Sequence, residues 1–171
     1  MTYLEVVNNI LKRLRERTVA TVEESTYSSL IGVLVNDALR DVENAWSWSG
    51  LRTTLSATTT KDVFNYELNG SQNRLTVLDV INESDNFFLK EKDAHTFNSY
   101  FLNSTPQTGS PYYYSFNGIS PDGDTQVDLF PIPDKAYTIY FNCILRSAEL
   151  SSDATTFSVP TKPIELLAYA L

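Results

Sequence analysis

The sequence predicts an α+β chain: a small α-helical bundle drawn from both chain ends, 1–50 and 158–171, with an antiparallel β-sandwich or barrel-like lobe, 51–157, inserted between them. Three observations carry this. From Ser25 to Trp46, Tyr27, Leu30, Ile31, Leu34, Val35, Ala38, Val42 and Ala45 recur at steps of three and four, one apolar stripe on a long helix. From Thr53 to Leu145 the texture becomes Thr- and aromatic-rich alternation, the pattern of strands with one wet and one dry face. At Thr161-Lys-Pro163 a first-turn proline followed by strong helix formers reopens helix.

Taken in order, Thr2-Tyr-Leu-Glu5 matches a capping box and starts a first helix, with Leu4, Val7, Ile10, Leu11 and Leu14 as its buried face. Lys12, Arg13, Arg15 and Arg17 crowd its end, where cations complement the helix dipole. They form either a contact to nucleic acid or an acidic partner, or a solvated helix end. Thr18 to Glu24 connects to the long helix, capped by Ser25 or Thr26, whose polar face carries Ser28, Asn36, Asp37, Arg40, Asp41, Glu43 and Asn44. Trp46-Ser-Trp48-Ser-Gly50 breaks it.

Strands are expected at Thr53 to Thr58, Val63 to Leu68, Leu75 to Ile81 and Asn86 to Leu89, with Asn69-Gly70 as a hairpin-type turn. A short helix follows from Glu91 to Leu102, then a loop from Asn103 to Pro111. Tyr112 to Phe116 is a strand and Asn117 to Asp124 a turn. Val127 to Pro131 and Ala136 to Leu145 are strands joined across Pro131-Ile-Pro133-Asp134, the second with Tyr137, Ile139, Phe141 and Cys143 on one face. No stop signal closes the final helix, so it is expected to run past Leu171.

With 42% hydrophobic residues in 171, the chain can build a core. A net charge of -8 argues against a grip on phosphate backbones, which draws on clustered Lys and Arg. An acidic surface instead lets DNA pass or serves solubility. The single cysteine, Cys143, excludes an intrachain disulfide and fits a reducing cytoplasm. The N-terminus lacks the charged and apolar regions of a signal peptide, and no run is long enough to span a bilayer, so a soluble chain without a cleaved signal is expected.

Chemistry has little to work with. His95 and Cys143 each stand alone, without the convergent ligands of a metal site or a Cys-His nucleophile. Asp122-Gly-Asp124 with Asp128 resembles a calcium loop but lacks its oxygen spacing, and a turn between strands explains it. No phosphate loop and no marked carboxylate pair appear, so neither enzyme nor cofactor is expected. The aromatics Trp46, Trp48, Tyr112, Tyr113, Tyr114 and Phe116 offer a stacking surface for sugars or bases, an interface anchor, or plain core, with Tyr113 and one tryptophan facing outward.

The order of these features resembles a family. The long helix closing in Asp41-Val-Glu-Asn-Ala-Trp-Ser-Trp48, the Thr-rich strand, the Gly109-Ser-Pro111 region, Leu129-Phe-Pro-Ile-Pro-Asp134, the strand to Leu145, and Leu150-Ser-Ser-Asp153 before Val159-Pro160 and a last helix are similar, over essentially the whole chain, to head-to-tail adaptors of tailed bacteriophages. The type is that of short-tailed, podovirus-like phages, also called tail tubular proteins. The resemblance implies a structural virion protein of the neck, assembled in the bacterial cytoplasm. It implies a homo-oligomeric ring, usually a dodecamer, between the portal and the tail nozzle or fibres, with the genome passing its lumen and no membrane involved. Its C-terminal segment, here with Leu167 and Leu171, would help engage the portal, while Lys12, Arg13, Arg15, Arg17, Trp46 and Trp48 would serve interfaces. From another class, a carbohydrate- or receptor-binding β-module of a phage tail is the alternative.

Overall fold

The structure is a computed structural model that describes residues 1–72, 74–102 and 105–171. Two compact units form, Met1–Leu51 with Arg146–Leu171, and Arg52–Leu145. Four α-helices and eight strands occur among the described residues, so the class is α+β as the sequence predicts.

In the first unit, α1 (Tyr3–Arg13) opens on the expected capping box. The Thr2 hydroxyl accepts from the Glu5 amide at 3.3 Å, and the Glu5 carboxylate accepts from the Thr2 amide at 2.8 Å. The helix closes in a Schellman turn, in which the amides of Arg15 and Glu16 donate to the carbonyls of Lys12 and Leu11. Arg15 takes the left-handed position (φ 61) that glycine usually fills. Because Leu14 caps the helix, it lies outside the buried face, which consists of Tyr3, Val6, Val7, Ile10 and Leu11, with Leu4 half-buried.

The long helix, α2 (Thr26–Ala45), is capped by Ser25, whose hydroxyl accepts from the Ser28 amide at 3.0 Å. Its buried face differs from the predicted stripe. Tyr27, Leu30 and Ala45 are exposed, while Ser28, Gly32, Leu39 and Glu43 are inside. Periodicity defines an apolar arc but not what lands on the polar one, and here two things land. Tyr3 closes on Gly32, where an added Cβ would stand 2.4 Å from the tyrosine hydroxyl oxygen. An irregular segment, 146–157, runs along the side the sequence assigned to water. Asn36 donates to the Leu150 carbonyl at 3.1 Å and accepts from its amide at 2.8 Å, Arg40 pairs with Glu149 at 2.7 Å, and Glu43 accepts from the Ser147 amide at 3.1 Å. The same segment reaches α1, with the Tyr3 amide donating to the Thr155 carbonyl at 2.9 Å. These bonds explain why 146–157 groups with the helices. The last helix, α4 (Thr161–Ala170), contacts both α1 and α2 through Ile164, Glu165 and Ala168.

The second unit is two four-stranded sheets. One has the order β1 (Arg52–Thr58), β8 (Thr138–Leu145), β3 (Leu75–Asn82), β4 (Phe87–Phe88), all antiparallel. The other runs β2 (Asn65–Leu68), β7 (Thr125–Phe130), β6 (Tyr113–Ile119), β5 (Lys90–Glu91), with β5 parallel to β6. The predicted face of Tyr137, Ile139, Phe141 and Cys143 is buried, and Phe141 and Ile139 meet Leu68, Val127 and Leu129 from the other sheet in one core.

Several readings are corrected. Gly70 does turn (φ 84), but β2 and β3 belong to different sheets, so Asn69-Gly70 joins sheets and is no hairpin. Turn chemistry fixes the local backbone and leaves the pairing partner open. Strand β6 runs on to Ile119 through the expected turn at Asn117 and Gly118, because a register shift between Phe116 and Ile119 absorbs Gly118 at φ 102. The short helix is α3 (Ala94–Leu102), its start taken by β5. Of the loop predicted from Asn103, the first two positions lie outside the described residues.

Candidate functional site

The residues that could carry chemistry are engaged structurally. Cys143 is fully buried, and burial pushes its thiol up, the opposite of an activated nucleophile. Tyr114 is buried as well, and burial, aided by the Glu91 and Asp79 carboxylates, pushes its hydroxyl up to about 12. His95 is exposed on α3. The Asp124 carboxylate accepts from the amides of Gly70 at 3.1 Å and Gln72 at 2.9 Å, and Asp128 accepts from the Asn65 amide group. These two carboxylates therefore brace the strand unit. Among the described residues no group of His, Cys, Asp and Glu converges as a metal site would.

Of the aromatics, Trp46 is 69% exposed at the end of α2, whereas Trp48 is half-buried and donates its Nε1–H to the Val42 carbonyl at 2.7 Å. Tyr113 does not face outward freely. Its ring stacks on Tyr100 at 5.7 Å and lies under the Lys92 ammonium at 4.7 Å. An open groove of about 720 Å³ does exist elsewhere in the strand unit, lined by Phe64, Phe97 and Phe101 with Asn98, Asn117 and Asp128.

The basic residues at the end of α1 divide into two sets. Arg13 bonds to Glu165 at 3.3 Å, and Glu165, almost fully buried, also accepts from the Asn9 side-chain amide at 3.0 Å. Lys162 approaches the same carboxylate at 3.8 Å. Arg13 thus ties α1 to α4 within the chain. Lys12, Arg15 and Arg17 are exposed.

Helix α4 offers the least expected surface. Besides Leu167 and Leu171, it exposes Leu166 and Tyr169, and Leu171 is 69% exposed. From Ile164 onward every exposed position of α4 and its cap is apolar, the kind of surface that marks a contact site. Sequence reasoning singled out two of the four, and the missing two were marked by the absence of a polar face from Ile164 to Leu171. No helix among the described residues is long and apolar enough to cross a membrane.

A family model described as SU10 adaptor protein matches residues 1–171. No curated protein matches the chain. With every residue inside the match, the chain belongs to the SU10 adaptor protein family, structural head-to-tail adaptors of tailed bacteriophages.

Proposed function

We propose that copies of this chain assemble into a ring, a dodecamer, between the portal and the tail nozzle of a podovirus-like virion, and that the genome passes through its lumen. Family membership makes it a structural part of the virion neck or tail that meets portal and tail components in an oligomer. The observation that carries the finer reading is the outward apolar surface of α4, because Leu166, Leu167, Tyr169 and Leu171 together form a face that water disfavours and a portal contact would cover. A net charge of -8 repeated around a ring repels DNA phosphates, so the genome slides with little adhesion. The helical and strand units act as separate domains, the first for assembly and the second as a platform toward the nozzle and fibres. The ring forms in the host cytoplasm, away from membranes, and works without catalysis, metal or cofactor.

Electron microscopy and mass measurement of the purified chain with and without its portal test this. A closed ring that docks on the portal is expected, and Leu167→Ser with Leu171→Ser should keep the fold and lose portal retention. A chain that stays monomeric with portal present sinks the reading. The groove at Phe64 and Phe101 favours one alternative, a glycan- or receptor-binding β-module. Glycan-array binding that survives the α4 substitutions would support that alternative.

A further inference from the structure

Two surfaces of the helical unit have no role in the α4 contact. The first is the end of α1, where Lys12, Arg15 and Arg17 surround the exposed Leu14 and one carboxylate, Glu16. Arg15 and Arg17 lie past the last helical turn, so the dipole of α1 gives them little. Among the described residues, no ion pair within the chain holds any of the three cations. The second surface is an outward stripe of α2. Tyr27, Leu30, Leu34, Asp37 and Asp41 follow at steps of three and four and so share one face. Tyr27 and Leu30 are exposed, and Leu34 is half-buried. Asp37 and Asp41 are exposed and, among the described residues, without an ion pair inside the chain. The stripe is apolar toward the start of the helix and acidic toward its end.

We propose that these surfaces are the two halves of one interface between neighbouring copies. Leu14 of one copy seats against Leu30 and Leu34 of the next, and Lys12, Arg15 and Arg17 face Asp37 and Asp41. The match is of kind and of arrangement: an apolar residue set among cations meets an apolar stripe that ends in carboxylates. Because the two patches differ, the contact is heterologous, and a heterologous contact repeats around a ring where a self-complementary patch stops at a dimer. Charge complementarity of this exposed kind sets register and on-rate and weakens with salt. The inference rests on the reading of the chain as a ring former.

Sedimentation velocity on the full chain across concentration and salt tests it. Arg15→Glu with Arg17→Glu, and separately Asp37→Lys with Asp41→Lys, should each raise the concentration for half-assembly by about tenfold or more at low salt. An equimolar mixture of the two variants should recover assembly, because the reversed surfaces match across copies on alternate contacts, and a chain carrying all four changes should assemble to within about threefold of wild type. The milder Asp37→Asn with Asp41→Asn, which leaves size unchanged, should flatten the salt dependence if a lysine variant fails to fold by circular dichroism. Assembly indifferent to both reversals, or no recovery in the fourfold chain, overturns the interface while the ring stands. A wild-type chain that never assembles overturns the ring and the interface together.

Discussion

The strand unit and the helical unit each bury an apolar core, but they differ in where apolar residues remain outside. In the strand unit, Phe141, Ile139, Leu68, Val127 and Leu129 meet across two sheets; Leu78, Phe88 and Ile119 stay outside on separate strands, while Phe64 and Leu102 line one groove. In the helical unit the exposed apolar residues gather on α2 and α4, while buried Val6, Ile10, Val35 and Ile164 are joined by polar ties: Asn36 on Leu150, Glu43 on Ser147, and Glu165 gripped by Asn9 and Arg13. Scattered apolar residues are ordinary on any surface, but gathered ones call for a cover. Under the proposed function, the strand unit is the support and the helical unit, with its exposed stripes, is the connector.

The sharpest way to break this contrast is at Phe141. Truncation to Ala removes a fully buried ring from between the sheets and should cost about 3–5 kcal/mol of the strand unit's stability. Hydrogen exchange should then show strand amides losing protection while α1 and α2 keep theirs. Equal loss in both would make the chain one cooperative body. Next comes Arg13→Ala, which leaves the Glu165 carboxylate buried with only Asn9 and the distant Lys162. A loss of about 2 kcal/mol in unfolding free energy, read from denaturant titration, is expected, confined to the helical unit. A change within about 0.5 kcal/mol would mean that this ion pair is no more than a surface one. The smallest effect has the opposite sign. Arg15→Gly relieves the left-handed backbone at the end of α1 and should stabilise by about 0.5–1 kcal/mol. Thermal melts read that gain, and a simultaneous fall in assembly would separate the charge of Arg15 from its strain.

How far the sequence could be read also differs between the units. Element types came through well in both, because a capping box at Thr2 and Glu5, a long stripe from Ser25, and alternation from Tyr137 to Cys143 are local signals. Partners did not. Nothing local at Asn69-Gly70 says that the next strand enters another sheet, and nothing in Asn36 or Glu43 says that a polar residue on a helix will receive a distant backbone amide. The same limit holds for the surface. Trp46 and Trp48 look alike in sequence, yet one indole is spent on the Val42 carbonyl and the other is outside. Four basic residues read as one cluster, and the buried Glu165, 152 positions away from Arg13, removes one of them. Long-range polar pairing, unlike periodicity, leaves no trace in neighbouring residues.

Gly50 lies so close to the Ser158 carbonyl that a methyl group there would stand 2.2 Å from its oxygen. Two stretches more than a hundred positions apart must therefore meet backbone to backbone, and the second leaves the ribosome only after every strand has done so. Synthesis itself then acts as a timer. A nascent chain can therefore pair its strands early, while the helical unit closes only once 146–171 has been made.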